Sequence, residues 1–316
     1  MKHFKLAATV AFALTATAGW AQTLPQGEVE LIVPFEPGGS VDVTSRIIAE
    51  TANNLQDEAK FVVVNRAGGG GVVGQTMAAR AQPDGHTILA ITSSVITNPA
   101  MKGASYSVAD FRPVALYNLD PEVIAVPESS PYKTAEEFLA AAKTQKMNVV
   151  VAGMATSHHM SGLAIEKATG LELNYIPTQG FGAQVQAIAG GHADAALWPL
   201  GEAASQIEGG GVRVLAIAQE ERHADLPDVP TFQEAGIDIP LWATFRGWAV
   251  PAGTPDEIVT GLSDLMKQVN DTPAYVEKMK AAGYDPEYRD AKAFQSVVDD
   301  YDAQTGAIIK EFNLVN

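Results

Sequence analysis

The chain has 316 residues, of which 47% are hydrophobic and 18% are charged, and its formal net charge is −16. This length and apolar content are sufficient for two α/β domains of ordinary size and exclude an intrinsically disordered chain. The negative charge argues against nucleic acid or an anionic membrane surface as a partner, although a local pocket of donors can still hold a small anion.

The first 21 residues have the pattern of a secretory signal peptide. A basic start at residues 2–5 precedes an apolar run at residues 6–18 that is too short to span a membrane, and Gly19-Trp20-Ala21 is a small-x-small cleavage site. The chain contains no cysteine, so the sequence offers no disulfide, thiol nucleophile or lipid-anchored cysteine. These features predict an exported periplasmic protein that is cleaved near Ala21.

A strand, a turn and a helix start follow the leader. Val29 to Val33 has the apolar, β-branched pattern of a buried strand, and Gly38-Gly39-Ser40 opens a helical pattern that begins at Val41. A helix start has free backbone N–H groups and partial positive charge, and glycines let the backbone approach an anion. Ser40 can serve as N-cap or as ligand donor. An ordinary capped turn and an anion site both fit this stretch.

A second unit of this kind contains a run of glycines. Residues 61–65 predict a strand, residues 72–81 predict a helix, and Gly69, Gly71 and Gly74 between them satisfy the dinucleotide pattern G-x-G-x-x-G. That pattern also needs an acidic residue about 20 residues further on, where this chain reads Ile-Thr-Ser-Ser-Val. We therefore interpret these glycines as a packing turn rather than a dinucleotide site.

A hydroxyl cluster ends the third predicted strand, at residues 86–91. Ligands of open α/β sheets bind at the carboxyl ends of strands, so Ser93 and Ser94 are candidate donors. A hydroxyl-rich loop or an N-cap explains the same residues equally well.

A new α/β unit begins near residue 123. Residues 114–116 and 122–127 predict two strands, and Thr134 predicts the N-cap of the helix that follows. The next strand, at residues 149–152, ends in a small-residue loop in which Thr156 and Ser157 can either cap a helix or hold an anion.

The rest of the chain continues with short strands and helices. Strands are predicted at residues 173–177, 193–198, 212–218 and 247–251, with a short edge strand at 284–288. A helix at residues 183–188 follows the loop Thr178 to Gly182, which contains Phe181. Further helices begin with Thr254 as N-cap and are separated by turns at Gly283 and Asp290.

Two charged residues are candidates for the ligand site. Arg246 can form a bidentate contact with a carboxylate, and it can equally form a surface ion pair. Glu36 lies in the turn that we interpret as anion-binding, where it can accept from a ligand hydroxyl or amine or point to solvent.

The sequence gives little support to catalysis or metal binding. His158 and His159 are adjacent, so on a helix they point about 100° apart and do not share a metal, and there is no H-E-x-x-H motif. The chain also lacks a G-x-S-x-G motif. We predict no enzyme, no cofactor and no metal.

The chain resembles the periplasmic solute receptors of the tripartite tricarboxylate transporter family, which are often called Bug-type receptors. The resemblance extends over essentially the whole mature chain. It is carried by eight stretches in order: residues 34–42 with Arg46, 64–74, 83–87, 110–113, 153–159, 190–194, 226–231 with 234–236, and 251–255.

This resemblance implies an α/β, two-lobed periplasmic-binding-protein-like fold of type II that closes on a small carboxylate. It assigns residues 22–122 and 230–316 to the first lobe and residues 123–229 to the second. It also implies a set of ligand-binding residues. Together with the candidates above, the predicted set is Phe35, Glu36, Pro37, Gly38, Gly39, Ser40, Asp42, Ser93, Ser94, Ala155, Thr156, Ser157, Thr178, Phe181, Gly182, Asp194 and Arg246.

The predicted pocket departs from the family pattern at three positions. Glu36 stands where the family commonly has Pro, Ala155 where Gly is usual, and Thr178 where an aromatic residue is frequent. With Phe35 and Phe181 as an apolar wall, an aromatic carboxylate and an aliphatic di- or tricarboxylate both fit.

We therefore predict a monomeric, extracytoplasmic receptor that delivers a small organic carboxylate to membrane subunits of a tripartite tricarboxylate transporter. A sensor that presents its ligand to a membrane kinase is an alternative that the sequence does not separate from it. An exported α/β hydrolase or dinucleotide enzyme is a further alternative.

Overall fold

The computed structural model describes residues 24–178, 180–239 and 241–314, so the leader lies outside the described residues. Ten strands are assigned in this part of the chain: β1 Gly27–Val33, β2 Ala59–Asn65, β3 Thr87–Thr92, β4 Phe111–Pro127, β5 Met147–Val151, β6 Leu173–Pro177, β7 Ala195–Pro199, β8 Val212–Ile217, β9 Ala243–Pro251 and β10 Arg289–Asp290. The α-helices assigned there are α1 Ser40–Leu55, α2 Val72–Ala79, α3 Ser94–Lys102, α4 Ala135–Ala142, α5 Ser157–Thr169, α6 Phe181–Ala189, α7 Leu200–Glu208, α8 Asp256–Asn270, α9 Pro273–Ala281 and α10 Ala291–Glu311.

The strands form two groups that share β4. The order is β2-β1-β3-β9-β4-β7-β5-β6, and β8 and β10 also pair with β4. Strands β1, β2 and β3 are parallel, with β9 antiparallel at the edge of β3. We call this group, with its helices, the first lobe. Strands β5, β6 and β7 are parallel and, with β8, form the second lobe.

Strand β4 runs through both lobes. Residues 111–121 pair with β9, and residues 122–127 pair with β7 and β8. The sequence predicted two separate strands here, at residues 114–116 and 122–127, and Asn118 and Asp120 lie between them. Both side chains are nevertheless buried, because both accept hydrogen bonds from Arg246 on the paired strand β9. The polar interruption is therefore satisfied inside the sheet, and the strand continues.

Three backbone segments meet where β4 passes between the lobes. Glu122 N–H donates to the Trp242 carbonyl at 2.9 Å, and Trp242 N–H donates to the Ala218 carbonyl at 3.0 Å. Ala218 N–H donates in turn to the Glu122 carbonyl at 2.9 Å. We call this closed set of hydrogen bonds the backbone ring. It ties the outgoing strand to the returning chain.

The apolar core extends through both lobes. Trp248, Leu262 and Tyr275 are fully buried in the first lobe against α1, α8 and α9. Another cluster continues from Ile91 and Phe294 to Leu163 and Leu215 of the second lobe. Burial of apolar surface on this scale is the main favourable term in folding. Among the described residues, no helix combines the length and apolar character needed to cross a bilayer.

Several predicted boundaries differ from the structure. Helices α3 and α7 were not predicted, and the edge strand predicted at residues 284–288 is wrong because the strand lies at Arg289–Asp290. Thr254 is not the N-cap of α8, because Pro255 is the N-cap and the helix begins at Asp256. The Thr254 hydroxyl donates instead to the carbonyl of Pro251 at 2.8 Å.

Candidate functional site

A cleft of about 490 Å³ lies between the two lobes. Both lobes contribute to its wall, and most contributing residues come from loops at the starts of helices. The first lobe supplies Pro34, Phe35, Glu36, Gly39, Ser40, Val41, Ala67 to Gly71, Thr92, Ser93, Ser94, Lys102, Thr244 and Arg246. The second supplies Ala152, Gly153, Met154, Thr156, Ser157, His158, Pro177, Thr178, Gly180, Phe181 and Glu202.

Four helices begin at the wall of this cleft. In the first lobe α1 starts at Ser40 and α3 at Ser94, and in the second lobe α5 starts at Ser157 and α6 at Phe181. The first turn of each helix has backbone N–H groups without intrahelical partners, together with partial positive charge. Their convergence makes the cleft favourable for an anion that touches both lobes.

The Asp42 carboxylate, in the first turn of α1, stabilises the turn that precedes this helix. Gly38, at φ +83°, donates its N–H to Asp42 at 2.9 Å, and the same carboxylate accepts from Arg46 and Asn65. Burial raises the pKa of Asp42, but these hydrogen bonds and the charge of Arg46 outweigh it and hold the pKa below its usual value. Gly39, in extended conformation, is the N-cap, so Ser40 is not.

The loop before α5 is also held by internal hydrogen bonds. Ala155 has φ +63°, in the left-handed region that favours glycine, and it is buried. Its N–H donates to His159 Nδ1 at 3.3 Å, and its carbonyl accepts from the Thr97 hydroxyl of the first lobe at 2.5 Å. His159 therefore packs behind the loop, and Ala155 sets the shape of the loop rather than lining the cleft.

Arg246 is buried and fully engaged by the protein at both terminal nitrogens. Its Nη1 donates to Asn118 at 2.6 Å and to Asp120 at 2.9 Å, and its Nη2 donates to Ser40 and to Glu202, both at 3.2 Å. The side chain is 1% exposed, so the predicted surface ion pair is wrong. A ligand carboxylate can form a bidentate contact with this guanidinium only by displacing one of these partners.

Glu202 connects the lobes at the same point. It lies in the first turn of α7 in the second lobe, and its Oε1 accepts from the Ser40 hydroxyl of the first lobe at 2.6 Å. Because it also accepts from Arg246, the carboxylate joins α7 to α1 and β9. His158 Nε2 lies 3.8 Å from Glu202 Oε2, and burial lowers the pKa of His158.

A family model described as the tripartite tricarboxylate transporter family receptor matches residues 45–314. The chain belongs to this family. A relative named as a UPF0065 protein in the tcbD-tcbE intergenic region of Pseudomonas sp. (strain P51) is 31% identical over 290 residues, which cover 88% of this receptor and 85% of the relative.

Solved structures agree with this assignment. This receptor is similar to Rpa4515 of R. palustris with adipate, with a TM-score of 0.83 and 26% identity over 90% of this chain and 97% of that one. It is also similar to MatC from Rhodopseudomonas palustris with bound malate, with a TM-score of 0.81 and 26% identity over 90% of this chain and 100% of that one. The predicted two-lobed α/β fold is confirmed, and the receptor is a solute-binding protein and not an enzyme.

The predicted ligand residues of the receptor divide into two sets in the structure. Those on the cleft wall are Phe35, Glu36, Gly39, Ser40, Ser93, Ser94, Thr156, Ser157, Thr178, Phe181 and Arg246. Those away from it are Pro37, Gly38, Asp42, Ala155, Gly182 and Asp194. Asp194 accepts from the backbone N–H of Asn148 at 2.8 Å, so it joins β5 to the start of β7. Pro37, Gly38 and Gly182 are exposed beside the wall rather than on it.

Five polar side chains on the receptor's wall were not in the predicted ligand set: Thr92, Lys102, His158, Glu202 and Thr244. Glu202 and Thr244 bear no sequence motif that we can identify, so nothing in their neighbourhood marked them. Lys102 closes α3 and donates to the Gly69 carbonyl at 3.3 Å, and burial lowers its pKa. The glycine turn at residues 68–71 was recognised in the sequence as a packing turn. The turn lies on the wall in contact with α3, from which Asn98 donates to the Gly70 carbonyl.

Hydrogen-bonded polar side chains connect the wall of the receptor's cleft to the buried Glu122. Thr244 Oγ1 is 2.5 Å from Ser157 Oγ and 2.9 Å from Glu122 Oε1. Burial raises the pKa of Glu122 to about 8, although hydrogen bonds from Thr244 and Ser157 oppose this rise. These hydrogen bonds link the start of α5 to the point at which β4 passes between the lobes.

Proposed function

We propose that this protein is a periplasmic receptor that binds a small organic carboxylate in the cleft and delivers it to the membrane subunits of a tripartite tricarboxylate transporter. We further propose that it acts as a monomer after cleavage near Ala21. Membership of the receptor family and the leader pattern of residues 2–21 support this location and role.

The observation that carries the proposal is the convergence of four helix starts on one cleft. A carboxylate placed there accepts from backbone N–H groups and meets the positive ends of helices from both lobes. Ligand contact with both lobes stabilises the closed arrangement relative to an open one, because only the closed arrangement offers both sets of donors at once. The similar proteins with adipate and malate support a carboxylate ligand.

Two phenylalanine rings support a position for the apolar part of the ligand. Phe35 and Phe181 line the cleft, and Phe181 is fixed by an edge-to-face contact with Trp198 at 5.2 Å between ring centroids. These rings offer a surface to an aliphatic chain or an aromatic ring next to the carboxylate.

Calorimetric titration of the ligand-stripped mature protein tests this proposal. The panel contains aliphatic and aromatic mono-, di- and tricarboxylates, amino acids, sugars and NAD. We expect binding by one class of carboxylate and none by sugars or NAD. Failure of every carboxylate to bind would overturn the proposal.

A substitution locates the site. Gly39→Val adds a branched side chain at the N-cap of α1, where an added Cβ would lie 3.7 Å from the nearest carbonyl and so leaves the fold intact. We expect it to abolish binding. Gly306→Val, at an exposed position of α10 with open space around it, is the matched control. Unchanged affinity in Gly39→Val would place the ligand elsewhere.

A further inference from the structure

The cluster around Arg246 contains more carboxylates than cations. Arg246 is the only cation in it among the described residues, and it is bonded to both Asp120 and Glu202. Both carboxylate oxygens of Asp120 accept hydrogen bonds. Oδ2 accepts from Arg246 at 2.9 Å, and Oδ1 accepts from the Gly201 N–H at 2.9 Å. One guanidinium therefore faces two carboxylates, so the cluster contains one more carboxylate than it does cations.

Glu202 is the member of this cluster that reaches the cleft. Its side chain is 11% exposed and lines the wall, whereas Asp120 is 4% exposed and does not. Its Oε1 is shared by Ser40 and Arg246. Its Oε2 lies 3.8 Å from His158 Nε2, which is beyond hydrogen-bonding distance. Since burial lowers the pKa of His158, this ring does not supply the missing positive charge.

The cation on the cleft wall without a carboxylate partner in the described chain is Lys102. It donates to the Gly69 carbonyl on the glycine turn, whereas Glu202 contacts Ser40 at the start of α1. The wall therefore presents an unpaired cation and a surplus carboxylate on different segments. A buried charge is costly unless it is paired, so a ligand that places an opposite charge against each of them gains the most.

We propose that the ligand of this receptor is an amino acid, whose carboxylate lies at the helix starts and whose ammonium donates to Glu202. This inference rests on the proposed function, since it names the substrate class of the same cleft. A plain dicarboxylate lacks the donor that Glu202 needs, and any second carboxylate placed beside Glu202 is repelled. Glu202 is thus a specificity-determining residue.

Calorimetric titration of ligand-stripped wild-type protein with matched acids tests this inference. Each set shares one carbon skeleton: aspartate, succinate and N-acetylaspartate; glutamate, glutarate and N-acetylglutamate; phenylalanine, 3-phenylpropionate and N-acetylphenylalanine; and leucine, 4-methylpentanoate and N-acetylleucine. In at least one set we expect the amino acid to bind about tenfold or more tightly than its two partners, as a charge-assisted hydrogen bond provides.

The substitution Glu202→Gln tests the contribution of the negative charge of Glu202 to ligand preference. It keeps an oxygen that can accept from Ser40 and Arg246 and removes the surplus negative charge, so the preference for the amino acid should fall by about tenfold or more. Glu208→Gln changes an exposed glutamate on the same helix and should bind as the wild type does. If Glu202→Gln fails to fold, the wild-type comparison still decides the question.

The outcomes separate this inference from the proposed function. Equal or tighter binding of the deaminated acids would overturn the inference and leave the carboxylate receptor standing. An equal loss of affinity for all members of a set in Glu202→Gln would also overturn it. Absence of binding by every acid would overturn both.

Discussion

Arg246 organises the floor of the cleft through hydrogen bonds to the protein itself. It binds Asn118 and Asp120 on the neighbouring strand β4, and Ser40 and Glu202 at two helix starts, and its guanidinium carbon lies 5.5 Å from the centre of the Tyr284 ring. A planar group with five donors suits this arrangement better than a lysine does, because each partner lies in a fixed direction.

Arg246→Met should destabilise the protein strongly. The substitution leaves Asp120 and Glu202 buried without their cation, and removal of one partner of a buried ion pair costs about 3–5 kcal/mol. Urea denaturation measures the free energy of unfolding. Arg222→Met, which removes an exposed ion pair with Glu234, is the control and should change stability little. Similar values for the two variants would show that the Arg246 cluster is not structural.

Glu122 should make stability depend on pH. Its pKa rises from an ordinary 4.5 to about 8, chiefly because of burial, and it faces Thr244, Ser157, Glu202 and Asp120. Below 4.5 both the folded and the unfolded state hold the proton. Between these two values only the folded state holds it, so the stability contributed by this site falls as pH rises and is lost once pH passes about 8.

Glu122→Gln tests this dependence. The wild type should lose stability relative to the variant between about pH 5 and about pH 8, with a slope of at most about 1.4 kcal/mol per pH unit. Urea denaturation at several pH values measures the difference. Glu208→Gln should follow the wild-type curve, and parallel curves for Glu122→Gln and the wild type would contradict the prediction.

The candidate site was predictable from the sequence where backbone conformation defines it. Gly39, Ser40, Thr156 and Ser157 of the cleft wall were predicted because small and hydroxyl residues follow apolar runs, and this pattern is local. Glu202 was not identified, because its role depends on Ser40 and Arg246, which are distant in the sequence. Asp42 was assigned to the ligand although its oxygens serve the turn, a distinction that only the hydrogen bonds reveal.

At the scale of elements, most strands and helices follow the sequence pattern because each buries one apolar face. Strand β4 is the main exception, since its polar centre is satisfied by a strand far away in sequence. Helix α3 contains Pro99 and a run of hydroxyl and amide residues, which hide a helical pattern. Asn98 and Ser94 of this helix instead bond to Gln75 of α2, so tertiary contacts stabilise it.

Helix α4 begins with the N-cap that the sequence predicted, Thr134. Thr134 accepts from the Glu137 N–H at 3.2 Å, and Glu137 accepts in return from the Lys133 N–H at 2.6 Å. Thr134→Ala should lower the free energy of unfolding by about 1 kcal/mol, because one N–H at the helix start loses its partner. Thr144→Ala, at the other end of α4, removes a hydroxyl that only donates to the Ala141 carbonyl. Chemical denaturation should show the larger loss for Thr134→Ala, and the reverse order would refute the capping role.

At the scale of the molecule, the lobes touch closely behind the cleft. Gly201 of α7 faces Gly283 of the first lobe, and a Cβ added at Gly201 would lie 2.7 Å from the Gly283 carbonyl oxygen and 2.9 Å from the Asp120 carboxylate. Backbone atoms cannot yield to such a contact as a flexible side chain does. This glycine pair therefore lets the two lobes approach near the Arg246 cluster.

Gly201→Ala should both destabilise the protein and weaken ligand binding, because the added methyl group moves α7, and with it Glu202, away from the first lobe. A thermal melt and a calorimetric titration with the ligand found in the panel measure the two effects. Gly306→Ala, in open space on α10, is the control. Unchanged melting temperature and affinity in Gly201→Ala would show that the lobes tolerate a wider spacing.

The sharing of β4 and the late position of β9 have a consequence for biosynthesis. Strand β3 pairs with β1 on one side and with β9 on the other, and β9 is among the last strands of the chain to be made. Until Ala243–Pro251 is in place, the apolar β3 has an open edge, and such edges recruit other chains. Strands β5, β6 and β7 can associate well before that moment. A chain that folds from its N-terminus therefore exposes this unpaired edge of β3 until β9 arrives, and a holding chaperone can bind there.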